Sequence, residues 1–167
     1  VFNEIENSSI AIIEHKFALT SRHNIKYGRF NVGWISFLNN EDGLDCINQW
    51  FDDCIEWCYQ TPEPNRYADQ KYLNKWPSNY KSLKIIQNKG ANLAPWNLSN
   101  YKIKKVDKKL FVDQDELVFF HFANLKQIGR RKFKTNLSRL FVFTSGILKN
   151  DIYIPYLRNL SINIEKT

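Results

Sequence analysis

The sequence predicts an α/β fold in which a mixed sheet carries flanking helices. Three observations lead there. Short runs rich in β-formers occur at residues 9–13, 29–37 and 83–86. A long amphipathic helix is written between the second and third of these runs. Strands and helices do not alternate regularly, which argues against a self-contained doubly wound sheet and for an irregular α/β half-domain.

The first run, Ser9-Ile10-Ala11-Ile12-Ile13, reads as a buried strand. A polar loop follows from His15 to Tyr27, and Gly28 punctuates the chain. In the next strand Phe30, Val32 and Trp34 are expected on one face, with Asn31, Gly33 and Ile35 on the other. Glycine inside a strand marks a close backbone or ligand approach. Asn39 or Asn40 can cap a helix over residues 41–59, with Glu41 and Asp42 in its first turn. Its expected buried stripe is Leu44, Ile47, Phe51, Cys54, Ile55 and Cys58. Thr61-Pro62-Glu63-Pro64 ends that helix, and a short helix over residues 68–75 should stop before Pro77. Beyond the strand at 83–86, a hairpin is expected at 101–112 with its turn at Asp107. A strand at 117–122, a basic tail at 126–134 and one or two short helices within 147–164 complete the reading.

The 167 residues suffice for one domain with a core, and 43% apolar with 25% charged residues is an ordinary globular balance. Aromatics reach 15%, a surplus that either fills cores or lines stacking surfaces for sugars and bases. The net charge of +7 favours an anionic partner: nucleic acid, a phosphorylated substrate or an acidic membrane surface. The aromatics fall at buried periodic positions rather than among the basic residues, which points away from nucleic acid. Cys46, Cys54 and Cys58 form an odd set, and no secretory leader opens the chain, so a reducing, cytoplasmic compartment is expected. The first residue is Val1 and no methionine occurs, so the chain reads as a fragment or a processed product.

Several groups have the composition of a chemical site. Asp69-Gln70 presents a carboxylate and an amide together, a pair able to bind vicinal sugar hydroxyls. His121 ends an apolar run, where an imidazole can bind Mn²⁺, and Lys126 stands near enough in sequence to neutralise a phosphate. Asp113-Gln114-Asp115 has the form of a cation-holding D-x-D pair, but it sits in a polar turn, where Asp serves turn geometry. Cys54 and Cys58 lack the further ligands that zinc requires and read as small core side chains.

Four segments share an order with a known pattern: Phe30-Asn31-Val32-Gly33, Asp69-Gln70-Lys71-Tyr72-Leu73-Asn74, Gly90-Ala91-Asn92-Leu93-Ala94-Pro95-Trp96-Asn97-Leu98, and Phe120-His121-Phe122 followed by Lys126. Together they resemble the C-terminal, acceptor-side half of GT-A nucleotide-diphospho-sugar glycosyltransferases. The likeness is to the glycogenin and lipopolysaccharide-galactosyltransferase type, and to a bacterial group of such transferases, over residues 10–126. The resemblance implies a single domain over residues 1–167, lacking an upstream nucleotide-binding half that would hold the D-x-D pair. It implies metal-dependent transfer of a sugar from a nucleotide diphosphate to an acceptor glycan or another acceptor, with retention of anomeric configuration. Asn31 and Gly33 would line the sugar pocket, and Asp69 and Gln70 would contact the sugar or acceptor near the reacting carbon. His121 would join the D-x-D pair on Mn²⁺ or another divalent cation, and Lys126 would touch the diphosphate. Two departures stand out: Lys126 follows His121 by only five positions, and the Pro-Trp that follows the lysine in the family is missing. The alternative is a degenerate transferase, or a carbohydrate-binding module without turnover. A half-domain would expose strand edges and an apolar face, so self-association is expected. The basic tail either meets a membrane surface peripherally or faces water.

Overall fold

A computed structural model describes residues 1–164 apart from Asn136, Phe141, Phe143 and Thr144, with the backbone alone for Ile164. The architecture is mixed α/β. Strand β1 (Ile10–Glu14) lies between β2 (Phe30–Phe37), antiparallel to it, and β3 (Leu83–Ile86), parallel to it. Strict alternation along β1 fills both faces of this sheet. Ile10 and Ile12 enter one cluster with Phe30, Cys46, Leu73 and Trp76. Ala11 and Ile13 enter another with Ile86 and Ala91, covered by Val1 and Ile5 of the short helix region α1 (Phe2–Ile5).

The register of β1 against β2 jumps: Ile12 faces Ile35, yet Ile13 faces Asn31. Val32, Gly33 and Trp34 therefore bulge out of the ladder, and the expected face assignment fails beyond them. Ile35 and Phe37 pack with Phe30 and Val32, whereas Trp34 turns to the opposite cluster against Phe2 and Phe119. A bulge of this kind bends a strand and re-aims its side chains.

Helix α2 (Glu41–Glu56) starts where expected, with the Asn40 side chain accepting from the Gly43 amide at 3.0 Å. Its buried side is not the expected stripe. Gly43 and Cys46 are the fully buried positions, and Trp50 packs with them on the sheet. Leu44, Ile47, Phe51 and Ile55 are exposed. The close approach at Gly43 decides this rotation: a Cβ there would lie 2.1 Å from the Leu38 carbonyl oxygen, so only glycine lets this side of the helix meet the chain. The helix ends at Glu56, with Trp57 already extended.

The expected helix at 68–75 is instead a 3-10 turn (Lys71–Lys75) running into α3 (Trp76–Asn79). Pro77 lies inside α3 rather than beyond it. It occupies the first turn, where the missing N–H costs no intrahelical bond.

The hairpin β4 (Ile103–Val106) and β5 (Lys109–Val112) forms as expected, with Asp107 at positive φ in its turn, and β6 (Asp115–Glu116) extends it. The D-x-D segment serves this turn. Asp113 accepts from the Lys102 amide and pairs with the Lys89 ammonium at 2.8 Å, while Asp115 accepts from the Lys89 amide. The apolar run at 117–122 is an extended segment with only the Leu93–Phe120 bridge, not a strand of a sheet. Its amides are satisfied by the loop beside it: Val118 donates to the Gly90 carbonyl and His121 to that of Leu93. The expected basic tail is a hairpin, β7 (Lys126–Gly129) and β8 (Lys132–Lys134). A wide helical turn at Leu148–Tyr153 leads into α4 (Ile154–Ile164), and Leu148, Ile152 and Tyr153 of that turn close a third cluster with Leu93, Leu98, Val112 and Leu137. No described helix is long and apolar enough to cross a membrane.

Gly90 is the tightest junction between the sheet and this third cluster, since a Cβ there would lie 1.9 Å from the Glu116 carbonyl oxygen. Backbone on both sides leaves nothing flexible to yield. Gly90→Ala is therefore expected to lower stability by about 1–3 kcal/mol, read as a lower urea midpoint with an unchanged m-value.

Candidate functional site

A cavity of about 520 Å³ opens where β1, the β2 bulge, the 90–98 loop and the segment ending at His121 meet. Its size falls within the range of small-molecule sites. The elements around it are held by buried polar bonds centred on His15. The His15 carbonyl accepts from the Trp96 indole at 2.9 Å and from the Asn97 amide at 3.0 Å. Asn97 also donates to the Asn92 carbonyl and accepts from the Ala94 amide, so the 92–97 loop closes on itself around one side chain. Asn92 stands at positive φ, a conformation Asn tolerates better than other side chains. The Trp96 carbonyl in turn accepts from the Ala18 amide and the Ser21 hydroxyl, which ties down the 3-10 run at Leu19–Tyr27.

The His15 imidazole is buried and carries its own two bonds. Nδ1 lies 3.2 Å from the Arg29 carbonyl and so must be its protonated nitrogen. Nε2 is then the acceptor for the Asn31 amide at 3.0 Å. The other end of Asn31, Oδ1, accepts from the Gly33 amide at 2.5 Å and closes the bulge. A Cβ on Gly33 would meet Asn31 Oδ1 at 2.4 Å and His121 Nδ1 at 3.1 Å. Glycine at this position keeps both groups in place.

Trp96 stands edge-on to both histidines, with centroid distances of 5.2 Å to His15 and 4.8 Å to His121. Phe17 stacks on His15. Tyr27 and Tyr67, 4.7 Å apart, form a further part of the wall. Gln70 reaches the cavity while its amide nitrogen donates to the Tyr27 carbonyl at 3.0 Å, leaving its oxygen as an acceptor for a ligand. The segment containing it is stapled to residues 26–29. Asn74 Oδ1 accepts from the Arg29 amide, and the buried Lys71 ammonium donates to the carbonyls of Lys26 and Glu63. Gly28 makes the turn between them at φ 133°, which glycine alone adopts without strain.

The structure thus brings Asn31, Gln70 and His121 to one cavity and places Gly33 directly beneath His121. It does not bring Asp69 or Lys126 there. Asp69 is turned toward α2: its carbonyl accepts from the Trp50 indole, and its carboxylate lies close enough to Cys54 to help raise that thiol's pKa. Lys126 opens the β7–β8 hairpin, pairs across it with Lys134 and is exposed. His15, Tyr27, Tyr67 and Trp96 line the cavity and were not singled out from the sequence. His15 and Tyr67 sit in segments read as loops, and Trp96 was noted only as part of a motif.

No Asp, Glu, Lys or Arg is among the described residues lining the cavity. Burial lowers the pKa of His121, so the ring is neutral at neutral pH, and it makes no hydrogen bond among the described residues. A neutral imidazole with free lone-pair capacity suits a divalent cation as one ligand. No group of three His, Cys, Asp or Glu side chains among the described residues could complete such a site. Cys54 is held protonated by burial, with its pKa pushed up to about 12, in keeping with a small packed side chain.

Burial, then the nearby His121 ring, push the His15 pKa down to about 4, against 6.5 for a free imidazole. Between these values the unfolded chain binds a proton that the folded chain refuses. Stability is therefore expected to be flat above about pH 6.5, to fall by about 3 kcal/mol as the pH drops to about 4, and to gain no further loss from this group below that. Urea unfolding across this window checks it, and His15→Asn should flatten the slope.

Comparison with known proteins finds two relatives. The chain is 31% identical over 166 residues to the uncharacterized protein YfnD of Bacillus subtilis (strain 168), covering 96% of this chain and 52% of that protein. It is 29% identical over 108 residues to the uncharacterized protein YfnF of the same organism, covering 64% of this chain and 36% of that protein. The chain thus spans about half the length of the first relative and about a third of the second. No protein-family model and no solved structure matches it.

Proposed function

We propose that this chain is the acceptor-side part of a glycosyltransferase that moves a sugar from a nucleotide diphosphate to an acceptor. One observation carries the reading. Asn31, Gln70 and His121, drawn from three segments far apart in sequence, converge on one uncharged cavity with Gly33 held bare beneath the imidazole. Amide groups and aromatic rings without charged side chains suit a neutral polyhydroxyl ligand. Gln70 would accept from a hydroxyl while its bond to Tyr27 fixes its orientation. Asn31 would act mainly by shaping the bulge, since His15 and Gly33 engage both ends of its amide.

His121 would supply one nitrogen to a Mn²⁺ or similar ion, with carboxylates from outside the described residues. Such an ion would stabilise the charge that builds on a departing nucleoside diphosphate. The ring is suited to this because it is neutral and is held in position by Trp96 and by its backbone bond to Leu93. Self-association, as part of the same proposal, would use the exposed apolar stripe of α2.

The absence of a carboxylate from the described cavity walls favours a second reading, a carbohydrate-binding module without turnover. Calorimetry with uridine diphosphate, with and without Mn²⁺, separates the two. It is run on this chain and on a longer chain that adds an upstream nucleotide-binding half. The transferase reading expects Mn²⁺-dependent binding by the longer chain, weakened roughly tenfold or more by His121→Ala. Failure of both forms to bind the nucleotide, with binding of free sugars by this chain regardless of Mn²⁺, would replace it with the binding module.

A further inference from the structure

The charge of +7 is not spread over the chain. Residues 117–150 hold seven Lys and Arg and no Asp or Glu, whereas α2 holds six carboxylates and no cation. Within the cationic stretch the β7–β8 hairpin concentrates Lys126, Arg130, Arg131, Lys132 and Lys134, all exposed. No salt bridge among the described residues involves Lys126, Arg130, Lys132 or Lys134. Ile128, between them in the same hairpin, is 64% exposed. Behind the hairpin an open groove of about 630 Å³ runs between β8 and α4. It is lined by Phe133, Ile154, Leu157 and Ile162, with Arg131 and Arg158 among them. Ile162 is itself 52% exposed.

From this combination we infer that the β7–β8 hairpin and the adjoining face of α4 form a docking surface for an anionic lipid bilayer. The cations are complementary to acidic headgroups, and each basic residue near such a surface adds to the attraction. Ile128 is exposed among the hairpin cations and Ile162 lines the groove beside Arg131 and Arg158, so aliphatic side chains can enter the headgroup boundary while Lys and Arg stay in the polar layer. The choice of lipid over nucleic acid rests on the side chains between the cations. Between Lys126 and Arg130 these are Gln127, Ile128 and Gly129, with no ring among them, and the one aromatic ring of the hairpin, Phe133, is half-buried in the groove rather than offered for base stacking. A surface contact of this kind requires no spanning segment.

Cosedimentation of the full chain with phosphatidylcholine vesicles, and with vesicles that also contain phosphatidylserine, tests this. Binding should require phosphatidylserine and weaken about tenfold or more between low and high salt. The double variant Arg130→Glu/Lys132→Glu should lose about tenfold or more in affinity, and Ile128→Ser several-fold with the salt dependence retained. These positions are exposed, so circular dichroism of each variant should match the parent. Failure to bind phosphatidylserine vesicles overturns the inference, as does equal binding to phosphatidylcholine alone. Tighter binding to polyuridylate than to the vesicles would make the surface a nucleic-acid site instead.

Discussion

The turn at His15 is the constraint on which the rest depends. One buried residue presents a carbonyl that takes two donors from the 92–97 loop and an imidazole that bridges the Arg29 carbonyl and the Asn31 amide. Buried polar groups are costly unless each is satisfied, so these bonds fix geometry as well as lowering energy. The end of β1, the β2 bulge, the 92–97 loop and the 3-10 run before Gly28 are all set by partners of this residue or of Trp96. The network tolerates only a neutral ring, which is why its stability is coupled to pH.

The cavity exists because of backbone irregularities rather than regular elements. The β2 bulge carries Val32 to its wall and removes Trp34 from the face that alternation assigns to it. Positive φ at Gly28 and Asn92 allows the two turns that bring Gln70 and Trp96 inward. Each irregularity is held by a side-chain amide: Asn31 on the Gly33 amide, Asn74 on that of Arg29, Asn97 on that of Ala94. These asparagines therefore replace missing ladder bonds.

Charge is kept out of this cavity and gathered elsewhere. Carboxylates dominate α2, cations dominate the β7–β8 hairpin, and the cavity between the strands and loops is lined by amides, rings and two histidines depressed toward neutrality. The neutral ligand and the anionic surface proposed above would engage separate parts of the chain. Neither requires the other's residues.

Elements controlled by local physics were legible in the sequence. Short runs of β-formers placed β1 and β3, an Asn cap and helical spacing placed α2, and turn-forming Asp placed the β4–β5 hairpin. The resemblance of their segments to a known order pointed to Asn31, Gly33, Asp69, Gln70, His121 and Lys126. Packing set which side of α2 is buried, where the close approach at Gly43 outweighs the longer apolar stripe. Packing also turns Asp69 away from its neighbour Gln70, because adjacent residues in a turn point in different directions and Trp50 holds the Asp69 carbonyl. The role of His15 was likewise hidden: a histidine in a polar loop gives no local sign that donors from residues 31, 96 and 97 will be folded onto it or that its own N–H groups will find the carbonyl of residue 29. Long-range hydrogen bonds of this kind are a property of the packed chain, and no window of sequence contains both partners.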